Sequence, residues 1–119
     1  MRRVILESPL AAPTREGIEA HKRYARACMK DALEKRGESP FASHILFDAP
    51  GEILDDLIPI HRQFGLEASA VWYGSFIEAV VVYVNLGISP GMQVGINLAL
   101  DAGIPVEYRR IQWNLDDTK

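Results

Sequence analysis

The stretch Glu78-Ala79-Val80-Val81-Val82-Tyr83-Val84, then Asn85-Leu86-Gly87-Ile88, then Ser89-Pro90-Gly91-Met92, closing on Gly103-Ile104-Pro105-Val106, decides the fold. The unbroken apolar run reads as a strand buried on both faces, as parallel sheets require. A tight loop follows. Ser89 is placed to cap a helix, with Pro90 at its first position, where a missing N–H costs nothing. Met92, Ile96, Ala99 and Leu100 give that helix a core face, and Gly103 ends it. Pro105 opens a last strand, Val106 to Ile111, near a sheet edge. Gly91 lets a ligand approach the first helical turn. The free N–H groups there suit a phosphate, a carboxylate or a sugar oxygen. The alternative is that Ser-Pro-Gly only starts a helix.

Working outward, Arg3 to Glu7 reads as a first strand, ended by Ser8-Pro9. The loop leaving such a strand is where open α/β sheets place ligand contacts. Ser8 is therefore either a ligand contact or an ordinary turn hydroxyl. Thr14 caps a helix whose stripe of Ile18, Ala25, Cys28, Met29, Ala32 and Leu33 is spaced for burial. Lys22 and Asp31 fall among the residues expected to face water, and Tyr24 and Arg26 fit either a surface or a sheet-edge position. Gly37 ends this helix. Ser39 to Phe47 reads as a turn and a second strand, with His44 near its beginning. Asp48 to Ile58 is a loop carrying Asp55 and Asp56, which as neighbours share no helix face. Pro59 starts a helix to about Ser75, with Ile60, Phe64, Ala68, Val71 and Trp72 as its inner face and Gly65 as a point of weakness.

Four strands alternating with three main helices imply a small three-layer α/β domain, Rossmann-like, with a mainly parallel four- or five-stranded sheet. It occupies residues 1–112, with 113–119 as a polar tail in which Trp113 covers the sheet end or joins a subunit contact. The formal charge of -3 demands no nucleic-acid partner. One cysteine, Cys28, excludes an internal disulfide and a multi-cysteine metal site. His21, His44 and His61 lie far apart and form no metal motif. Met1 to Leu6 is too short for a signal peptide or a membrane span, so the expectation is a cytoplasmic protein with no membrane partner. A P-loop and a dinucleotide fingerprint are both missing.

The Gly87-Ile88-Ser89-Pro90-Gly91-Met92 segment and the Gly103-to-Val106 turn resemble the nucleoside 2-deoxyribosyltransferase-like superfamily, closest to small phage-associated members. Glu7-Ser8-Pro9, Tyr24-Ala25-Arg26, Pro40 to His44, Leu54-Asp55-Asp56 and His61 to Gly65 carry the likeness across about residues 4 to 109. The resemblance implies a Rossmann-like sheet, cleavage or transfer of an N-glycosidic bond, no cofactor, a homo-oligomer and a phage-encoded protein of the host cytoplasm. It also implies a glutamate nucleophile on the helix after the glycine-containing loop, because a carboxylate beside C1′ must stabilise or capture an oxocarbenium-like centre. This chain places Gly95 at that position. Glu7, Asp55 and Asp56 are then the candidate acid, base or nucleophile, unless a neighbouring subunit completes the site.

The leading expectation is thus a nucleoside- or nucleotide-processing protein. The turn of Ser89, Gly91 and Met92, with Gly87 before it, would hold a phosphate or ribose oxygen. Ser8 and His44 would supply polar contacts, and Arg26 or Arg62 positive charge. The competing expectations are a nucleotide-binding protein without turnover, favoured by Gly95, and a domain serving protein contacts through Trp72, Phe76 and Trp113.

Overall fold

Strand alternation sorts the core into two halves. In the computed structural model, which describes residues 1–114, Arg2–Glu7 (β1), Glu38–Phe41 (β2), Ala79–Tyr83 (β3) and Val106–Arg109 (β4) form one parallel sheet in the order β2-β1-β3-β4. Val4, Leu6, Ala79, Val81 and Tyr83 point to one face, where Tyr24 and Cys28 of helix Arg15–Arg36 (α1) cover them. Ile5, Val80 and Val82 point to the other, under Met92, Ile96 and Ala99 of helix Pro90–Asp101 (α4). Every residue of β3 is buried, which is why that strand reads as a continuous apolar run. The order reverses between β1 and β3, so their carboxyl ends open a crevice.

The helix ends follow their local chemistry. The Thr14 hydroxyl accepts from the Gly17 N–H, and Gly37 closes α1 at φ 62°. The Ser89 hydroxyl accepts from the Met92 N–H, with Pro90 at the first position of α4.

Several expectations are corrected. Glu38–Phe41 is the second strand, and Ser43–Phe47, with His44 and Ile45, is a short helix (α2) rather than strand. The Ala42 carbonyl accepts from the N–H groups of Ile45 and Leu46, so the chain turns where a strand would continue. A brief apolar run does not distinguish the two states. Pro40 is tolerated because β2 is an edge strand. Helix Pro59–Ala70 (α3) runs unbroken through Gly65 and stops short of Ser75. It has no buried residue and packs on α2 and α4 instead of lying across the sheet. Ile60, Phe64 and Val71 therefore face outward, the reverse of the expected inner face, while Trp72, although partly exposed, stacks on Phe41 of β2 with ring centroids 4.6 Å apart. Leu33 and Leu100, also expected to face the core, are exposed as well.

Two residues assigned to water are instead enclosed. Lys22 is buried against Asp48, and the Asp31 carboxylate accepts from the Tyr83 hydroxyl at 2.7 Å. Trp113 packs edge-on against Tyr24 with ring centroids 5.3 Å apart. The remainder of the proposed tail, 115–119, lies outside the described residues.

An ion-pair network ties the two outer strands together. Glu38, on β2, accepts from Arg109, on β4, through two bonds of 2.7 Å, and Arg2 adds a third donor. The Arg109 hydrogen bonds outweigh burial and hold the Glu38 carboxyl below its ordinary range. Both side chains are almost fully enclosed. Glu38→Gln is expected to cost about 3 kcal/mol in urea unfolding, because a buried guanidinium loses its main counter-charge. A loss below about 1 kcal/mol would show that Glu107 alone suffices for Arg109.

Candidate functional site

Residues from six segments meet in a cleft of about 120 Å³ beyond the carboxyl ends of β1 and β3. Glu7 ends β1 on the face that α4 covers, the same face as Ile5. It can sit there because Gly95 has no side chain. A Cβ at position 95 would stand 2.6 Å from the Glu7 carboxyl carbon and 2.5 Å from the Tyr73 hydroxyl. The Tyr73 hydroxyl donates to Glu7 Oε2. Burial pushes the Glu7 carboxyl up to about 7, against the opposing pull of the Tyr73 hydrogen bond. Burial, followed by the neighbouring Glu7 charge, raises the Tyr73 phenol, so it remains a donor.

Ser8 and His44 form a second pair, Oγ to Nε2 at 2.8 Å. Burial lowers the His44 imidazole to about 4, leaving it neutral near pH 7. Nε2 of the neutral ring accepts from the Ser8 hydroxyl or donates to it, according to which ring nitrogen carries the proton. Beside it, the hydroxyls of Ser43 and Ser69 are hydrogen-bonded, and Ser69 donates to the Gly65 carbonyl at 2.7 Å.

The rim is built on the loop between α2 and α3. Buried Asp48 accepts from Arg15, Lys22 and the Asp56 N–H, at 2.6, 3.1 and 3.0 Å. Burial alone would raise the Asp48 carboxyl. Its hydrogen bonds to Arg15, Asp56 and Lys22 prevail and hold it below the ordinary range. The anchored loop sets two side chains of α3. His61 Nδ1 accepts the Asp55 N–H at 2.9 Å, so a neutral His61 carries its proton on Nε2. Arg62 Nη1 donates to both oxygens of Asp56, at 3.2 and 3.1 Å. Its other terminal nitrogen lies beside Gly91, 3.7 Å from where a Cβ there would be.

Of the residues expected to form a site, Glu7, Ser8, His44, Asp56, Arg62, Ser89, Gly91 and Met92 line this one cleft. Three others do not. Asp55 turns away, its Oδ1 accepting from Arg15 at 2.6 Å and from the Leu57 N–H at 3.0 Å, a loop-forming role. Arg26 is exposed on α1, and Gly87 makes a turn at φ 86° outside the lining. Sequence reasoning missed Tyr73, Asp48 and His61 as cleft residues. His61 had a signal in its adjacency to Arg62 on one helix. Tyr73 had none, because it follows the helix end and reaches Glu7 only through the fold.

Chemically, the cleft offers a carboxylate near its titration point, a phenol that orients it, two imidazoles and a guanidinium beside a helix N-terminus. Among the described residues no group of three or more His, Cys, Asp or Glu could hold a metal ion, and no helix is long and apolar enough to cross a membrane.

These features define a parallel α/β domain with a cleft at its topological switch point, where polar groups are set among apolar walls. The chain belongs to the DUF7768 family, a domain of unknown function whose profile spans residues 2–109. Neither a curated protein nor a solved structure matches it.

Proposed function

We propose that the cleft binds a nucleoside or nucleotide and that Glu7 acts at the anomeric carbon, cleaving or transferring the N-glycosidic bond. The observation that carries this reading is the place of the Glu7 carboxylate. It fills the space over Gly95, the position where the resemblance to nucleoside 2-deoxyribosyltransferases calls for a glutamate side chain. The carboxylate is thus delivered from β1 instead of from α4.

In this reading ionised Glu7 attacks C1′ while Tyr73 holds its other oxygen. The C1′–N electron pair leaves with the base, which gains a proton from water. His61 Nε2–H offers the departing base a hydrogen bond, as a neutral imidazole can. Water, or an acceptor base in transfer, then takes the sugar from Glu7. Arg62 and the Gly91 N–H suit a phosphate or sugar oxygen. The substrates would be cytoplasmic nucleosides or nucleotides.

The test is chromatographic separation of free base from mixed nucleosides and nucleotides incubated with the protein. Release is expected to rise with pH through about 7, as Glu7 ionises. Glu7→Gln is expected to lose roughly 10³-fold, the scale for removing an essential group. Base release equal in Glu7→Gln and the parent would remove Glu7 from the chemistry. Intact nucleotide retained without product would favour the sequestering alternative, in which the glycine at 95 belongs to a site built for binding.

A further inference from the structure

A second hollow, of about 370 Å³, adjoins the cleft at Arg62. Ala11, Asp56, Arg62 and Leu66 line both spaces, so the two share a wall. Ala12, Leu57, Pro59 and Gln63 line the outer one alone. The inner cleft, at about 120 Å³, is smaller than the roughly 300–1,000 Å³ of ordinary ligand pockets. With the outer hollow added, the site comes within that range.

The charges are ordered along this path. Glu7, Tyr73 and Gly95 belong to the inner cleft only. Arg62 stands at the junction. Its Nη1 donates to Asp56, and its other terminal nitrogen lies beside Gly91 at the start of α4. A nucleotide with C1′ at Glu7 and its phosphate at Arg62 and the Gly91 N–H therefore directs whatever that phosphate carries into the outer hollow.

The lining of the hollow selects that group. Among the described residues Arg62 is its one cation, and Asp56 already engages it. A free terminal phosphate there would meet the Asp56 carboxylate without a counter-charge of its own. Leu57, Pro59 and Leu66 instead offer apolar surface to a ring. Gln63 spends one N–H on Glu67 at 2.9 Å, which leaves a carbonyl and a second N–H for the edge of a base. A hexose would bring more hydroxyls than this one amide can pair. We propose that the ligand is a dinucleotide, two nucleosides joined through a 5′,5′-pyrophosphate, with the pyrophosphate at Arg62 and the second base in the outer hollow. This rests on the reading of the cleft as a nucleotide site and leaves the C1′–N cleavage at Glu7 as described.

The test measures base release and binding for three ligands of each common base: the nucleoside 5′-monophosphate, the 5′-diphosphate and the symmetric 5′,5′-dinucleoside diphosphate. For the preferred base the dinucleotide is expected to exceed the monophosphate by about tenfold or more in kcat/KM and in affinity, the effect of about 1.4 kcal/mol of added contact. The free diphosphate should show no such gain. Gln63→Trp, which fills the hollow, and Leu57→Asp, which charges it, should each bring the ratio of dinucleotide to monophosphate toward one. Both positions are exposed, so the fold is kept, and circular dichroism checks it. A dinucleotide no better than the monophosphate, a diphosphate that gains as much, or a ratio that neither variant moves would overturn the proposal, while base release from the monophosphate would still uphold the reading of the cleft. A dinucleotide held with the expected advantage but never cleaved would uphold the site for the second base and remove the Glu7 chemistry. Neither release nor binding with any of these ligands would overturn both.

Discussion

Gly95→Ala is expected to suppress base release by at least 10²-fold and to destabilise the domain by about 2 kcal/mol. In an exposed helix the same change would stabilise by about 1 kcal/mol, since alanine is the better helix former. Here the new methyl meets the Glu7 carboxyl and the Tyr73 hydroxyl well inside van der Waals contact. Overpacking a filled site costs about 1–3 kcal/mol, and the two side chains must part to relieve it. Displacing a reacting group by about 1 Å costs about 10² in rate. Base release by chromatography and urea unfolding check the two effects separately. A converse variant tests the relocated carboxylate. Glu7→Ala combined with Gly95→Glu removes the obstruction and returns the acid to α4, so activity should exceed that of Glu7→Ala alone. If the double variant stays as inactive as the single one while folded, the two positions are not interchangeable carriers.

The second large effect is a stability profile that stays flat only through cancellation. Glu7 titrates near 7 in the folded protein and near 4.5 when unfolded. Its folded form holds the proton more tightly, so stability is full below about 4.5 and falls as pH rises to about 7. His44 titrates near 4 folded and 6.5 unfolded. Its folded form resists the proton, so stability is full above 6.5 and falls as pH drops to about 4. Between 4.5 and 6.5 each state binds one proton across this pair, and the slopes cancel. Both groups keep some exposure to the cleft, so each contributes about 2–3 kcal/mol over its window. His44→Gln should therefore become less stable as pH rises from 4.5 to 7. Glu7→Gln should become less stable as pH falls from 6.5 to about 4.5. The carboxyls held low by ion pairs, Asp48, Glu38 and Glu107, add their own loss only at more acid pH. Urea titrations at several pH values measure all three proteins. Parallel profiles in parent and variants would show that the two groups titrate as they do in water.

The route from sequence to site is uneven for physical reasons. Val80 to Val82 are buried on both faces, so composition alone marks a central parallel strand. Thr14, Gly37, Ser89 and Pro90 act within a few residues of themselves, and each stands where local chemistry placed it. His44 and Ile45 belong to a segment too short for periodicity to separate helix from strand. Ile60 and Phe64 show the opposite failure. Their helical period is clear, but a period does not say which side of a helix meets the core when the helix leaves the sheet.

What the residues determined by themselves was the alternation of strands and helices, the parallel sheet, the caps and the end of the sheet where the cleft opens, because these depend on burial pattern and contacts short in sequence. Tertiary structure alone decided that Glu7 reaches across to the space over Gly95, that Tyr73 orients it and that Asp55 turns to Arg15 while Asp56 faces the cleft. Those pairings join residues far apart in the chain, and their geometry is set by how whole elements pack.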